Sequence, residues 1–206
     1  MSYLSDSRVN YIVIHYSATA IEVEYPYGRL EADHLARGFR EGGYHYYLPR
    51  KGGRIAGRDL SQAGRFEMGA HSKGENVESV GICFEGGLTR DDMQTGRDTR
   101  TAGQVDEMIR TILELKKRYP NAKVTGHRDM PGAATQCPGF DAGKWWDGVM
   151  ASPELMGADE VRGVSLDWAK EQPKPAGVTI PTGKMQANPI TALFAALASF
   201  FAGKKP

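Results

Sequence analysis

The chain is short of cysteine, of net charge and of long apolar runs. Two cysteines in 206 residues are too few for a disulfide scaffold, so stability must come from a hydrophobic core. Lysine and arginine number 26 against 25 acidic residues, a formal charge of +1. That balance excludes a global electrostatic attraction to nucleic acid, and no nucleic-acid partner is expected. No segment reaches the ~20 apolar residues that span a bilayer. The first twenty residues, MSYLSDSRVNYIVIHYSATA, lack a long apolar run ahead of a small-residue cleavage site and do not form a secretory signal. The expectation is synthesis in the cytoplasm, with any action outside following release or delivery by other means.

What is present suits one globular domain with appendages: 40% apolar and 25% charged residues. Residues 9–16, VNYIVIHY, are β-branched and aromatic and predict a buried strand ending near His15. Residues 28–40 place Leu30, Leu35 and Phe39 among charges, a helix that Gly42 and Gly43 should break. YHYYLPR (44–50) predicts a strand, and KGG followed by RIAGR (51–58) a hairpin. Residues 61–77 have weak periodicity and predict a long loop. SVGICFEGG (79–87) is a second buried strand, and residues 88–100 are a polar surface insertion. The clearest helix covers 101–119: Val105, Met108, Ile109, Ile112 and Leu113 recur at spacings of 3 and 4, Leu115 lies near that face, and Pro120 stops it. Lys116, Lys117 and Arg118 suit a solvated helix end. AKVTG (122–126) predicts a short strand, and FDAGKWWDGVM (140–150) a helix in which Trp145 and Trp146 pack. Strands alternate with helices to about residue 150. The pattern predicts an α/β domain over 1–150 with a central mixed sheet. Short helices and a Pro/Gly-rich linker follow over 151–188, then an apolar helix with a basic end over 189–206.

The chemistry concentrates in VTGHRDMPGAATQCPGFD (124–141). Cys83, in VGICF, has the apolar setting of a core residue. Cys137 instead lies between Thr-Gln and Pro-Gly. Three readings compete: a small buried hydrophobe, a thiol nucleophile paired with His127, or a metal ligand. The metal reading needs a third donor, and His15 qualifies because strand ends at one sheet edge converge. Two imidazoles, one thiolate and an open position would suit catalytic zinc.

The segments IVIHYSAT, GYHYYLPRKGGRIAGRD, GAHSKGENVESVGICFEGG, TAGQVDEMIRTILELKKRY and VTGHRDMPGAATQCPGFD occur in the order found in a known family. Over about residues 9–147 the chain resembles the type 2 N-acetylmuramoyl-L-alanine amidases, which include amidase-type phage lysozymes and the peptidoglycan recognition proteins. The resemblance implies a mixed sheet flanked by helices, with Zn2+ in a surface groove held by His15, His127 and Cys137. It implies a catalytic role for Tyr44. Thr135 falls where phage amidases carry lysine; threonine at that position is similar to the amidase-active recognition proteins. The implied partner is peptidoglycan. The implied reaction is hydrolysis of the amide between the muramic acid lactyl group and L-alanine, as in a phage or prophage endolysin. Members that only bind usually lose a ligand, commonly the cysteine, so the resemblance favours an enzyme over a non-catalytic peptidoglycan-binding module. An antibacterial effector delivered into a rival is the other alternative.

The remaining candidates are weighed singly. His71, in GAHSKG, resembles a groove-lining position and is a candidate substrate contact. Asn76 should shape that loop. His45 alternates with Tyr44 and should face away from it, as a packing or hydrogen-bonded residue. His34 is expected to be structural. Arg128 and Asp129 follow a candidate ligand and could orient an imidazole.

In the tail, Ile190, Leu193, Phe194, Leu197, Phe200 and Phe201 fall on one helical stripe, with Lys204 and Lys205 after it. Residues 190–203 would span about 21 Å as a helix, short of the ~30 Å hydrocarbon core. The sharper expectation is an interfacial helix contacting a membrane or envelope through residues 190–205; the alternative is a helix docked on the domain or on another copy. Flotation with anionic liposomes should capture the full chain but not a chain ending at Gln172. Equal failure of both to float removes the membrane reading, and lost folding stability on truncation favours docking.

Overall fold

The computed structural model describes residues 2–151; the expected linker and C-terminal helix lie outside the described residues. In chain order the elements are β1 (Tyr3–Ser5), β2 (Tyr11–Tyr16), β3 (Thr19–Ala20), α1 (Tyr27–Ala36), β4 (Tyr46–Leu48), β5 (Ile55–Ala56), β6 (Arg65–Glu67), β7 (Ser79–Phe84), β8 (Gly87–Leu88), α2 (Ala102–Arg118), β9 (Lys123–Gly126) and α3 (Ala142–Ala151). No described helix is long and apolar enough to cross a membrane.

The main sheet has the order β5-β4-β7-β2-β9. Strands β4, β7, β2 and β9 are parallel, and β5 closes an antiparallel hairpin on β4. This is the expected central mixed sheet. The two central strands are buried on both faces: Ile12, Val13, Ile14, Val80, Ile82 and Phe84 are each 0% exposed. That explains their unbroken apolar runs, since a parallel strand covered on both sides has no polar face. Alternation places His15 and its registered neighbour Cys83 on one face. There Cys83 clusters with Tyr25, Tyr47 and Leu30 of α1. On the helix opposite β4, α2 contributes Val105, Met108, Ile109, Ile112 and Leu115 as its buried stripe. Leu115 is therefore the core residue at the end of the stripe, and Leu113 is only half-buried. A capping box between Thr101 and Gln104 starts this helix.

Several expectations are corrected. Helix α1 ends at Ala36, before the Gly42–Gly43 pair. Gly38 takes φ +84°, and the Phe39 and Gly38 amides donate to the His34 and Leu35 carbonyls. That is a Schellman stop, which needs a left-handed residue at this position. Leu35 is 50% exposed and plays no core role. The strand expected over YHYYLPR is confined to Tyr46–Leu48. Within 61–77 the short strand β6 pairs with β1, Leu4 opposite Phe66; three residues are too few to show periodicity. The polar run 88–100 ends in the interior. Asp98 and Arg100 form an ion pair with both side chains at 0% exposure, and the guanidinium lies 3.6 Å from the Phe140 ring centroid and 4.3 Å from that of Trp145. Pairing and the two aromatic faces compensate a charge that would be costly to bury alone. The end of α2 is not merely solvated. Arg118 bonds both carboxylate oxygens of Asp6 and the carbonyls of Leu60, Gln62 and Arg65, and Lys116 bonds those of Pro120 and Ala122. Trp145 and Trp146 pack as expected, at 9% and 7% exposure.

Candidate active site

The parallel order β7-β2-β9 brings two chain segments 112 positions apart to one end of the sheet. His15 is the penultimate residue of β2, and His127 directly follows β9 in a single 3-10 turn. Their ring centroids are 4.6 Å apart. Cys137 reaches them from the loop beyond. The Arg128 amide donates to the Cys137 carbonyl at 2.7 Å, and the Tyr16 amide donates to Cys137 Sγ at 3.3 Å. One donor atom from each of His15, His127 and Cys137 lies within 4.8 Å of the others. His15 Nδ1 is 3.8 Å from Cys137 Sγ. The peptide between Cys137 and Pro138 is cis.

The donors are held uncharged by their surroundings. Burial, then the neighbouring His71 and His127, holds His15 well below the usual imidazole range. Burial lowers His127, and burial pushes the Cys137 thiol up to about 12 against the Tyr16 amide. Two neutral imidazoles and a thiol with no cationic side chain bonded to it among the described residues suit a divalent cation that displaces the thiol proton. Sulfur with nitrogen favours zinc over magnesium or calcium.

Tyr44 lies just before β4, its ring centroid 5.1 Å from that of His15. Burial, and then Cys83 and Cys137, raises its phenol well above 10. Thr135 Oγ1 accepts from the Cys137 amide at 3.1 Å, and its hydroxyl also bonds the Tyr16 side chain. The structure thus gathers all five expected residues. His71 comes closer than the sequence indicated: it is 8% exposed, and its Nδ1 is 3.1 Å from His15 Nε2. Tyr16 was not anticipated. Alternation points it away from His15, yet burial and the nearby Cys137 raise its phenol while Thr135 lowers it, placing that hydroxyl beside Thr135. Only the adjacency of Tyr16 to His15 in sequence could have flagged it.

Other residues behave as scaffolding. Asn76 Oδ1 accepts from the His71 and Ser72 amides, at 2.8 and 2.9 Å. His34 Nδ1 accepts from the Gly43 amide. Arg128 pairs with Asp129 at 3.7 Å, on the surface. His45 Nδ1 accepts from the Gly81 amide at 3.0 Å, and its Nε2 donates to the Glu67 carbonyl at 2.8 Å. The Tyr44 and His45 rings do not separate fully, since both contact His71.

Burial lowers the pKa of His45 to about 4. A folded-state value below the unfolded ~6.5 means that the unfolded chain binds the proton more tightly. The stability from neutral His45 is therefore complete above pH ~6.5 and is lost as pH falls towards 4, about 3 kcal/mol in all. Denaturant unfolding at a series of pH values should show this decline, and His45 should stay neutral by NMR down to about pH 4. Titration of folded His45 near 6.5 would refute the assignment.

Fold and cluster together define a mixed α/β protein with a two-imidazole, one-thiol pocket at the end of its central parallel strands. Residues 5–140 match the N-acetylmuramoyl-L-alanine amidase family, Amidase_2, and the chain belongs to this family of type 2 amidases. It is 32% identical over 136 residues to the endolysin of Klebsiella phage KP32, covering 66% of this chain and 84% of that one. Identity to the endolysin of Escherichia phage T7 is 30% over the same length and with the same coverage. Among solved structures, the endolysin amidase LysCS from Clostridium intestinale URNW has the same fold, with TM-score 0.53, 24% identity and coverage of 68% of this chain and 82% of that one.

Proposed function

We propose that this protein is a zinc-dependent N-acetylmuramoyl-L-alanine amidase that acts on peptidoglycan as an endolysin. The observation that carries the proposal is the convergence of His15, His127 and Cys137 within 4.8 Å in a chain of this family. In this reading the three residues hold one zinc ion. When bound, zinc supplies Lewis acidity, acidifying water towards a pKa of ~7 and polarising the scissile carbonyl. The residues around it do the rest. Tyr44, protonated at neutral pH, orients the attacking water by hydrogen bonding rather than acting as a base. Thr135 donates its hydroxyl to the oxygen on which charge develops. The Tyr16 amide steadies the thiolate sulfur.

Retention of the whole donor set together with Tyr44 favours catalysis over binding alone. The expected substrate bond joins the lactyl group of N-acetylmuramic acid to L-alanine. Synthesis in the cytoplasm, followed by release to the wall, is part of the same proposal. Digestion of purified peptidoglycan with the zinc-loaded protein should yield free stem peptides with a new L-alanine amino terminus, detected by mass analysis. Undigested muropeptides, or cleavage at any other bond, would sink this reading.

A further inference from the structure

We infer that His71 is a positioning residue for the metal pocket: its Nδ1 accepts the Nε2 proton of His15 and keeps His15 Nδ1 free to face Cys137. The inference rests on the reading of His15, His127 and Cys137 as metal ligands. A neutral imidazole carries one N–H, on one of its two nitrogens. His15 turns Nδ1 towards Cys137 Sγ, at 3.8 Å, and Nε2 towards His71 Nδ1, at 3.1 Å. A proton on Nδ1 would block metal binding there. A proton on Nε2 needs an acceptor, and at 1% exposure His15 has little access to water. His71 supplies that acceptor. Metal-bound histidines usually give this proton to a carbonyl, a carboxylate or water; here a second imidazole takes it and adds no charge.

His45 is the internal comparison. Both of its nitrogens are bonded to backbone groups, as suits a purely structural histidine. His71 Nδ1 meets His15; its buried Nε2 makes no hydrogen bond of ordinary geometry, but the Ser79 backbone acts on the ring as an acceptor. A ring proton directed to that carbonyl leaves Nδ1 bare to accept from His15. The fold also clears space for the ring. A Cβ on Gly81 would lie 2.6 Å from His71 Cγ, and one on Gly69 would lie 2.6 Å from Cδ2. Asn76 fixes the His71 backbone from the other side.

The test compares His71→Asn, whose side-chain oxygen can take the place of Nδ1, with His71→Leu, which removes the acceptor. Zinc affinity is measured on the full chain by chelator competition. The Leu variant should bind zinc roughly 10- to 100-fold more weakly, and the Asn variant should recover most of that loss. Nitrogen-15 NMR of the zinc-loaded unsubstituted protein should find His15 protonated at Nε2 and His71 bare at Nδ1. This measurement decides the matter even where a variant fails to fold. A zinc-loaded His71 protonated at Nδ1 overturns the inference. So does unchanged zinc affinity in His71→Leu with a raised KM, which would make His71 a substrate contact instead. Those results leave the metal reading intact provided Cys137→Ser still loses zinc. A wild-type chain that binds no zinc takes both readings down together.

Discussion

Replacing Cys137 by serine should strip the protein of tightly bound zinc and reduce amidase turnover to background. The thiol sits at 4% exposure with a pKa of about 12, so without metal it stays protonated. Zinc recovers that cost because a thiolate is a strong ligand and the departing proton goes to solvent. A serine hydroxyl is far harder to ionise and bonds zinc poorly as a neutral oxygen. The variant would keep only two imidazoles, too few for a stable open site with three protein ligands. His15→Ala should behave alike, because it too leaves two donors. Proton release also makes zinc affinity rise with pH in the unsubstituted protein. Metal content after gel filtration, measured with turnover on soluble muropeptides, is the check. Full zinc content and full turnover in Cys137→Ser would remove Cys137 from the site and reopen the readings as a core residue or a nucleophile.

The sequence made the frame legible wherever packing is two-sided and continuous. Residues 12–14 and 80–84 appear as apolar runs because β2 and β7 are covered on both faces, and α2 shows its stripe from Val105 to Leu115, over about three turns. The pocket was legible for a different reason. His127 and Cys137 are rare residue types in a turn-rich segment, His15 lies at the end of a strand where convergence gives the three a place to meet, and the family resemblance singled them out as a set. What escaped was whatever depends on tertiary partners. Arg100 looks like a surface charge until Asp98, Phe140 and Trp145 enclose it. The three-residue β1 and β6 become strands only by finding each other. Gly38 stops α1 through its φ of +84°, which the later glycine pair masked in sequence. His71 looked like a loop residue facing a groove; its bond to His15 spans 56 positions and has no local signature.

Tyr44→Phe should lower turnover by roughly 100-fold or more while zinc content stays unchanged, since removal of a positioned proton donor costs on that order. Its ring packs against His15 and the Cys83 cluster, and phenylalanine preserves that packing, so the lost hydroxyl is the whole perturbation. Thr135→Ala should cost roughly 10- to 1,000-fold in kcat if the hydroxyl meets the developing oxyanion. That variant carries a second effect, because Thr135 Oγ1 also accepts the Cys137 amide at 3.1 Å. Without it the loop that presents the thiol loses a bond, and zinc affinity can fall along with kcat. Thr135→Ser separates the two effects: it restores both the acceptor and the donor, and should recover most of the activity. Thr135→Lys restores the residue that phage amidases carry but not the bond to the Cys137 amide. It should therefore support catalysis only where zinc is supplied in excess. Steady-state kinetics with saturating and limiting zinc distinguish these cases. Wild-type rates in both Tyr44→Phe and Thr135→Ala would mean that neither side chain acts in the reaction, and would turn attention to Tyr16, whose hydroxyl interacts with Thr135.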